Sequence, residues 1–188
     1  MPRLYTPLQL AHLEVTPAAP ASGGSVYAAA PGQLLYSGGG VAGAPLMPGM
    51  LTVGTDVGGG SAGATVTALA LAVQPGTYSL RYVTTYTATN GSTGIKVQLT
   101  GPATSGVSAL VQRWTSATAC VVTRLEALST WSATTSVSGG TTARPLLIDA
   151  TITCTAAGTL NLLVGSSNAN TATLKAGSSL TSWWLNAL

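Results

Sequence analysis

The chain has 188 residues; only 6% are charged, 46% are hydrophobic, phenylalanine is absent and the formal net charge is +3. An ordinary soluble domain carries roughly 25% charged residues, so Ser, Thr, Gly and Ala fill the surface here. No uninterrupted apolar run reaches the ~20 residues of a membrane-spanning helix, and the basic residues, scattered from Arg3 to Lys175, form no nucleic-acid footprint. A surface this poor in charge is weakly protected against association. The expectation is a β protein that covers much of it with other copies of itself or with a larger assembly.

Residues 1–63 read as an extended, Pro/Gly-rich arm with short edge hairpins. Seven of the ten prolines fall here: Pro2, Pro7, Pro17, Pro20, Pro31, Pro45 and Pro48. Short apolar pieces (LQLAHLEV, SVYAAAPGQLLYSGGG, MLTVG) are cut by Pro, which removes a backbone donor, and by Gly, which removes stiffness. The opening MPRLYTPLQLAHLEV lacks the charged start, long apolar core and small-residue cleavage site of a signal peptide. His12, the one histidine, stands near Glu14. A catalytic triad would need a serine on a strand–GxSxG–helix elbow, which the sequence lacks, so His12 reads as a structural or interface residue. The glycine runs Gly38–Gly40 and Gly58–Gly60 have no GxxxxGK[ST] context and read as loops or linkers.

From Ala64 the pattern changes. ATVTALALAVQPGTYSLRYVTTYTATNGSTGIKVQLTGP predicts three strands. In its middle piece Tyr78, Leu80, Tyr82, Thr84 and Tyr86 take one face, and Ser79, Arg81, Val83 and Thr85 the other; in the next, Ile95, Val97 and Leu99 alternate with Lys96, Gln98 and Thr100. Gln74-Pro75-Gly76 and Asn90-Gly91 supply the turns. ACVVTRLEAL is read as a strand in preference to a short helix. Further on, RPLLIDATITC alternates Leu146, Ile148, Ala150, Ile152 and Cys154. PGTYSLRYV and AGTLNLLVG look alike, as equivalent strands of two sheets would. The whole predicts an all-β fold, a sandwich of about eight strands over 64–188, with spacings typical of jelly rolls.

Groups that could do chemistry are few. The acids are Glu14, Asp56, Glu126 and Asp149. A paired-carboxylate hydrolase would need two of them to converge. Glu126 and Asp149 fall in the predicted sandwich, but on outward faces, where Arg124 or Arg144 would pair with them. Cys120 and Cys154 could pair or stay free; both sit in apolar, β-branched surroundings outside any metal-ligand spacing, where a free cysteine is a small hydrophobe. No catalytic, cofactor or metal residue is assigned. Trp183 and Trp184 are adjacent on a strand, so one faces the core and the other faces out. The outward one would be a glycan-stacking platform or, as the commoner role, an intersubunit contact.

The order of motifs along 64–188, GTYSLRYVTTYTATNGSTGIKVQLTGP followed by DATITCTAAGTLNLLVGSSNANTATLKAGSSL, resembles a recurrent domain of tailed-bacteriophage structural proteins. VYAAAPGQLLYSGGG also resembles the short hairpin preceding such domains. The resemblance implies a jelly-roll β-sandwich of the tumour-necrosis-factor-like kind, usually a homotrimer, found in capsid decoration proteins, head fibres and tail-fibre tips. It carries no catalytic motif and no cofactor. Residues 64–188 would form the trimeric knob. The arm would anchor to the major capsid protein or exchange between subunits, with Leu4, Tyr5, Leu8, Leu10, His12, Leu13 and Tyr36 as its contacts. The expected place is the capsid surface of a virion assembled in the host bacterial cytoplasm, where both thiols stay reduced. Neither nucleic acid nor membrane is an expected partner; a host surface glycan is the alternative one, in a receptor-binding tail-fibre tip.

Overall fold

The structure, a computed structural model, describes residues 24–30, 33–38, 41–45, 49–60, 62–89, 93–132, 141–168 and 171–186. The chain divides into two units, residues 1–47 and 48–188. In the first, β1 (Gly24–Ala30), β2 (Gln33–Gly38) and β3 (Val41–Pro45) form an antiparallel three-stranded meander. Pro45 ends the outer strand β3, opposite Leu35, where a missing donor is best tolerated. Tyr36 lies on β2, opposite Val26 and Ala44. Leu4, Tyr5, Leu8, Leu10, His12 and Leu13 lie outside the described residues.

The second unit is an all-β sandwich of two antiparallel sheets, with no α-helix among the described residues. Its strands are β4 (Gly49–Thr52), β5 (Val57–Gly59), β6 (Ala64–Thr65), β7 (Leu71–Val73), β8 (Gly76–Ala88), β9 (Ile95–Thr100), β10 (Thr104–Trp114), β11 (Cys120–Leu125), β12 (Arg144–Cys154), β13 (Gly158–Ser166), β14 (Ala172–Leu174) and β15 (Ser179–Asn186). The wide sheet has eight strands. β11, β10, β12 and β8 follow side by side, and the far edge of β8 is shared by β15, which leads to β4, and by β14, which leads to β5. The narrow sheet has four, with β13 paired to β9 on one edge and to β6 and β7 on the other. β8 and β13, the look-alike segments, are thus the central strands of the two sheets.

Alternation explains why these residues form these strands. Tyr78, Leu80, Tyr82 and Tyr86 of β8 are buried, as are Leu146, Ile148, Ile152 and Cys154 of β12. They meet Ile95, Val97 and Leu99 of β9 and Leu160, Leu162 and Val164 of β13 in one continuous core. Each such aliphatic or aromatic side chain contributes about 1.5–3 kcal/mol when removed from water. Tyrosine stands where many cores use phenylalanine, so its hydroxyls need partners. Tyr78 Oη accepts from the Gln74 amide at 2.8 Å and donates to the Gln74 carbonyl at 2.9 Å, closing the Gln74-Pro75-Gly76 turn. Tyr86 Oη donates to the Trp114 carbonyl at 2.8 Å. Tyr82 Oη is buried without a partner.

Four features differ from the sequence reading. Residues 48–63, grouped there with the arm, belong to the sandwich: β4 pairs with β15 and β5 with β14. Both are short edge strands, which is why their periodicity is hard to see. Gly58 and Gly59 are strand residues, not a linker. A Cβ on Gly59 would lie 2.0 Å from the Val164 carbonyl oxygen, so the glycine lets β5 approach β13. The first predicted strand of the 64–128 zone is broken into β6, a 3-10 turn (Thr67–Leu69) and β7. Finally, β10, which the sequence reading did not name as a strand, extends the wide sheet beyond β12; β11, read as a strand within ACVVTRLEAL, forms its edge.

Candidate interaction surface

The outward positions of the wide sheet are set by register. Met50 of β4 stands opposite Thr181 of β15, Thr181 opposite Arg81 of β8, Arg81 opposite Asp149 of β12, Asp149 opposite Leu110 of β10, and Leu110 opposite Arg124 of β11. A parallel row runs Ser179, Val83, Leu147, Gln112, Val122. Five of the six large hydrophobics that the described residues expose take outward positions on this face: Met50 (72%), Val83, Leu110, Val122 (58%) and Trp183 (38%); the sixth, Leu185, falls at the irregularity of β15 between Trp184 and Asn186. Scattered exposed hydrophobics are normal; five gathered on one sheet face are not.

Charge on the face is sparse and self-paired. Arg81 Nε lies 3.6 Å from Asp149 Oδ1, and Arg124 Nε lies 3.2 Å from Glu126 Oε1. Both pairs are solvent-exposed, so each contributes no more than about 1 kcal/mol. Glu126 therefore has the expected partner Arg124, whereas Asp149 pairs with Arg81 across β8–β12 and not with Arg144. The two acids line separate depressions: Glu126 one of about 420 Å³ with Thr104, Ser105 and Ser129, and Asp149 one of about 220 Å³ with Ser79, Ser108 and Thr151. They are not brought together as a hydrolase pair.

Trp183 sits opposite Ser79, one of the residues that line the smaller depression, with its ring on the outward face; Trp184 is opposite Tyr78. Cys154 is buried, as expected, and its surroundings push its thiol pKa up by desolvation. Cys120 is exposed instead, because it opens the edge strand β11. The two thiols align with opposite ends of β10, Trp114 and Thr104, ~30 Å apart along the strand, so they are free. No three His, Cys, Asp or Glu side chains gather as a metal site among the described residues.

The outer face of the narrow sheet is different. Lys96 Nζ sits 4.3 Å from the centre of the Trp131 ring, and Gln98 bridges to Trp131 in register. Trp131 in turn covers Gly63 (φ +82°), where a Cβ would come within 2.5 Å of Trp131 Cη2.

Sequence reading placed Val83 outward with Ser79, Arg81 and Thr85, and the structure does so. Met50, Leu110, Val122 and Leu185 were not singled out. The signal at Met50, Leu110 and Val122 is parity, since each is a large apolar residue at the polar phase of its strand. Comparison with family models, curated proteins and solved structures returns no match.

Proposed function

We propose that this chain is a non-enzymatic structural protein of a bacteriophage virion, a homotrimeric decoration protein on the outside of the capsid. The observation that carries the proposal is the gathering of exposed large hydrophobics on the outer face of the wide sheet, on a chain with 6% charged residues. The six strands β4, β15, β8, β12, β10 and β11, four to thirteen residues long, at ~4.8 Å spacing and ~3.3 Å per residue give that face an area approaching the ~800 Å² per partner of a standard interface. A sister copy is the cover that every molecule of the protein has at hand.

Two further features support the reading. The motif order resembles that of tailed-phage structural domains. The winding supports a jelly roll: the last strand, β15, lies between the first of the sandwich, β4, and β8, while β13 lies between β7 and β9. Segment 129–132 adds to β9 through the Ser129 amide on the Leu99 carbonyl (2.7 Å) and the Ser132 amide on the Val97 carbonyl (2.8 Å). The β10–β11 hairpin is then an insertion extending the wide sheet.

Sedimentation of the purified chain, with and without residues 1–20, and co-sedimentation with capsids test the proposal. The expected result is a trimer in both forms and capsid binding only with the arm. A monomer in both forms overturns it.

A receptor- or glycan-binding tail-fibre tip is the second reading. The observation favouring it is Trp183 beside a depression lined by Ser79, Ser108, Asp149 and Thr151, since an aromatic plane next to hydroxyls and a carboxylate suits a sugar. Loss of host adsorption in Trp183→Ala, at a few copies per particle, would select it.

A further inference from the structure

Two arginines point into the sandwich, not out of it. Arg113 shares the inward phase of β10 with Ala109 and Val111, and Arg144 shares that of β12 with Leu146 and Ile148. Arg113 stands opposite Leu146, and Arg144 opposite Tyr86. Arg144 lies two positions along β12 from Leu146, so the two arginines are diagonal neighbours on the inward phase, with Tyr86 beside Arg144, at the end of the wide sheet where β10 finishes and β12 begins.

Arg113 is fully buried. It donates from Nη1 to the Ile95 carbonyl at 2.9 Å and from Nη2 to Thr123 Oγ1 at 3.0 Å, and its Nε has no partner. The Arg144 Nε is likewise buried without a partner. Both acceptors of Arg113 are neutral. Burial pulls its pKa down, yet an arginine cannot discharge near neutral pH. An uncompensated buried ion costs several kcal/mol. The three described acids do not help: Asp56 holds Lys175, Glu126 holds Arg124 and Asp149 holds Arg81. Tyr86 does not serve as a phenolate, because burial outweighs both arginines and raises its pKa.

We propose that Arg113 and Arg144 form an oxyanion-binding site at this end of the sandwich, taking a phosphate or carboxylate group on their unpartnered Nε–H donors. Guanidinium recognises such planar or tetrahedral oxyanions with directed, charge-assisted bonds. Arg144 is only half-buried and would hold the outer end of the site; Arg113, fully buried, would hold the inner end. The site belongs to the sandwich itself and stands whether or not the chain coats a capsid.

The test uses the full chain, titrated with sodium phosphate and separately with sodium acetate, against sodium chloride at equal ionic strength. Thermal unfolding and titration calorimetry are the readouts. At about ten times the dissociation constant the unfolding midpoint should rise by roughly 3 °C over the chloride control. Arg144→Gln should abolish the rise and Arg144→Lys restore part of it, while Lys175→Gln, which removes a cation elsewhere, should keep it. Arg113→Gln need not be used, since it can fail to fold. A rise with phosphate alone assigns the site to free phosphate or a phosphoryl group, and a rise with acetate to a carboxylate; both support the proposal. No rise over chloride, or an equal rise in Arg144→Gln (an adventitious ion only), overturns it.

Discussion

On the wide sheet, the outward positions of β8 carry Ser79, Arg81, Val83 and Thr85, and the neighbouring strands add Met50, Leu110, Val122 and Trp183. On the narrow sheet, those of β9 carry Lys96, Gln98 and Thr100, and the nearest large ring, Trp131, lies down over Lys96 and Gly63. Both faces come from the same period-2 alternation over one shared core. One leaves its apolar groups without a cover within the sandwich; the other folds its aromatic back onto itself. Sheet faces that need no partner satisfy their own large side chains, and a face that does not is where a partner is expected.

The seam between the sheets is the place to break the comparison most severely. Gly59→Ala would drive a methyl to 2.0 Å from the Val164 carbonyl, a backbone atom that cannot move aside without parting β5 from β13. A loss of about 3 kcal/mol in folding stability is expected, in the range of strong single-site effects. Denaturant unfolding checks it. An unchanged midpoint would mean that the two sheets are not held at this spacing.

The two tryptophans separate the faces directly. Trp131→Ala removes a half-buried ring from Gly63 and Lys96, and about 2 kcal/mol of folding stability should go with it. On the other face, Val83→Glu with Leu110→Glu changes two exposed positions, so folding stability should shift by less than ~1 kcal/mol. Self-association should instead weaken at least ~30-fold, the size of an interface hot-spot effect. Sedimentation and circular dichroism on the same samples read both quantities. Glutamates that leave the assembly intact while Trp131→Ala dissolves it would reverse the assignment of the faces.

The inner phase of the wide sheet offers a smaller effect of opposite sign. The Tyr82 hydroxyl is buried without a partner, and that burial holds its pKa far above the ordinary tyrosine value. Tyr82→Phe removes the unpaired hydroxyl and keeps the ring. It should stabilise the fold by about 1 kcal/mol, a rise of roughly 2–4 °C in midpoint. Tyr86→Phe, which would strip a donor from the Trp114 carbonyl, should not stabilise.

Legibility in the sequence followed strand length. β8, β9 and β12 are long enough for alternation to declare itself, and the set named on one face of each from sequence is buried, while β13 declared itself by its likeness to β8. β5, β6, β7 and β14 have two or three residues each, too few to show a period, and glycine or proline nearby read as loop. The interaction face was half-legible: Val83 sat at the polar phase in plain view, but Met50 joins its face only once β4, β15 and β8 are paired. Arg113 was legible by parity, three strand positions along from Leu110 and in step with Ala109 and Val111, yet a lone arginine in an apolar strand is easily taken for a surface residue.

The smallest effect concerns an edge of the wide sheet. Asp56, in the turn before β5, accepts from Lys175 Nζ and, at 2.9 Å, from the Ala176 amide just beyond β14. The Lys175 hydrogen bond, then the amide, hold its carboxyl below the usual carboxylate range. A depressed folded pKa means stability that is present above the unfolded value, about 3.9, and that is lost as pH falls through the folded value. The group is fully exposed, so the contribution is small and salt-sensitive. Unfolding midpoints of the wild type and Asp56→Asn should therefore differ slightly at pH 7 and converge as the pH falls through the lowered folded value. A difference that persists unchanged into acid would mean that Asp56 acts through packing and not through its charge, and that this edge is closed by the β5–β14 backbone ladder alone.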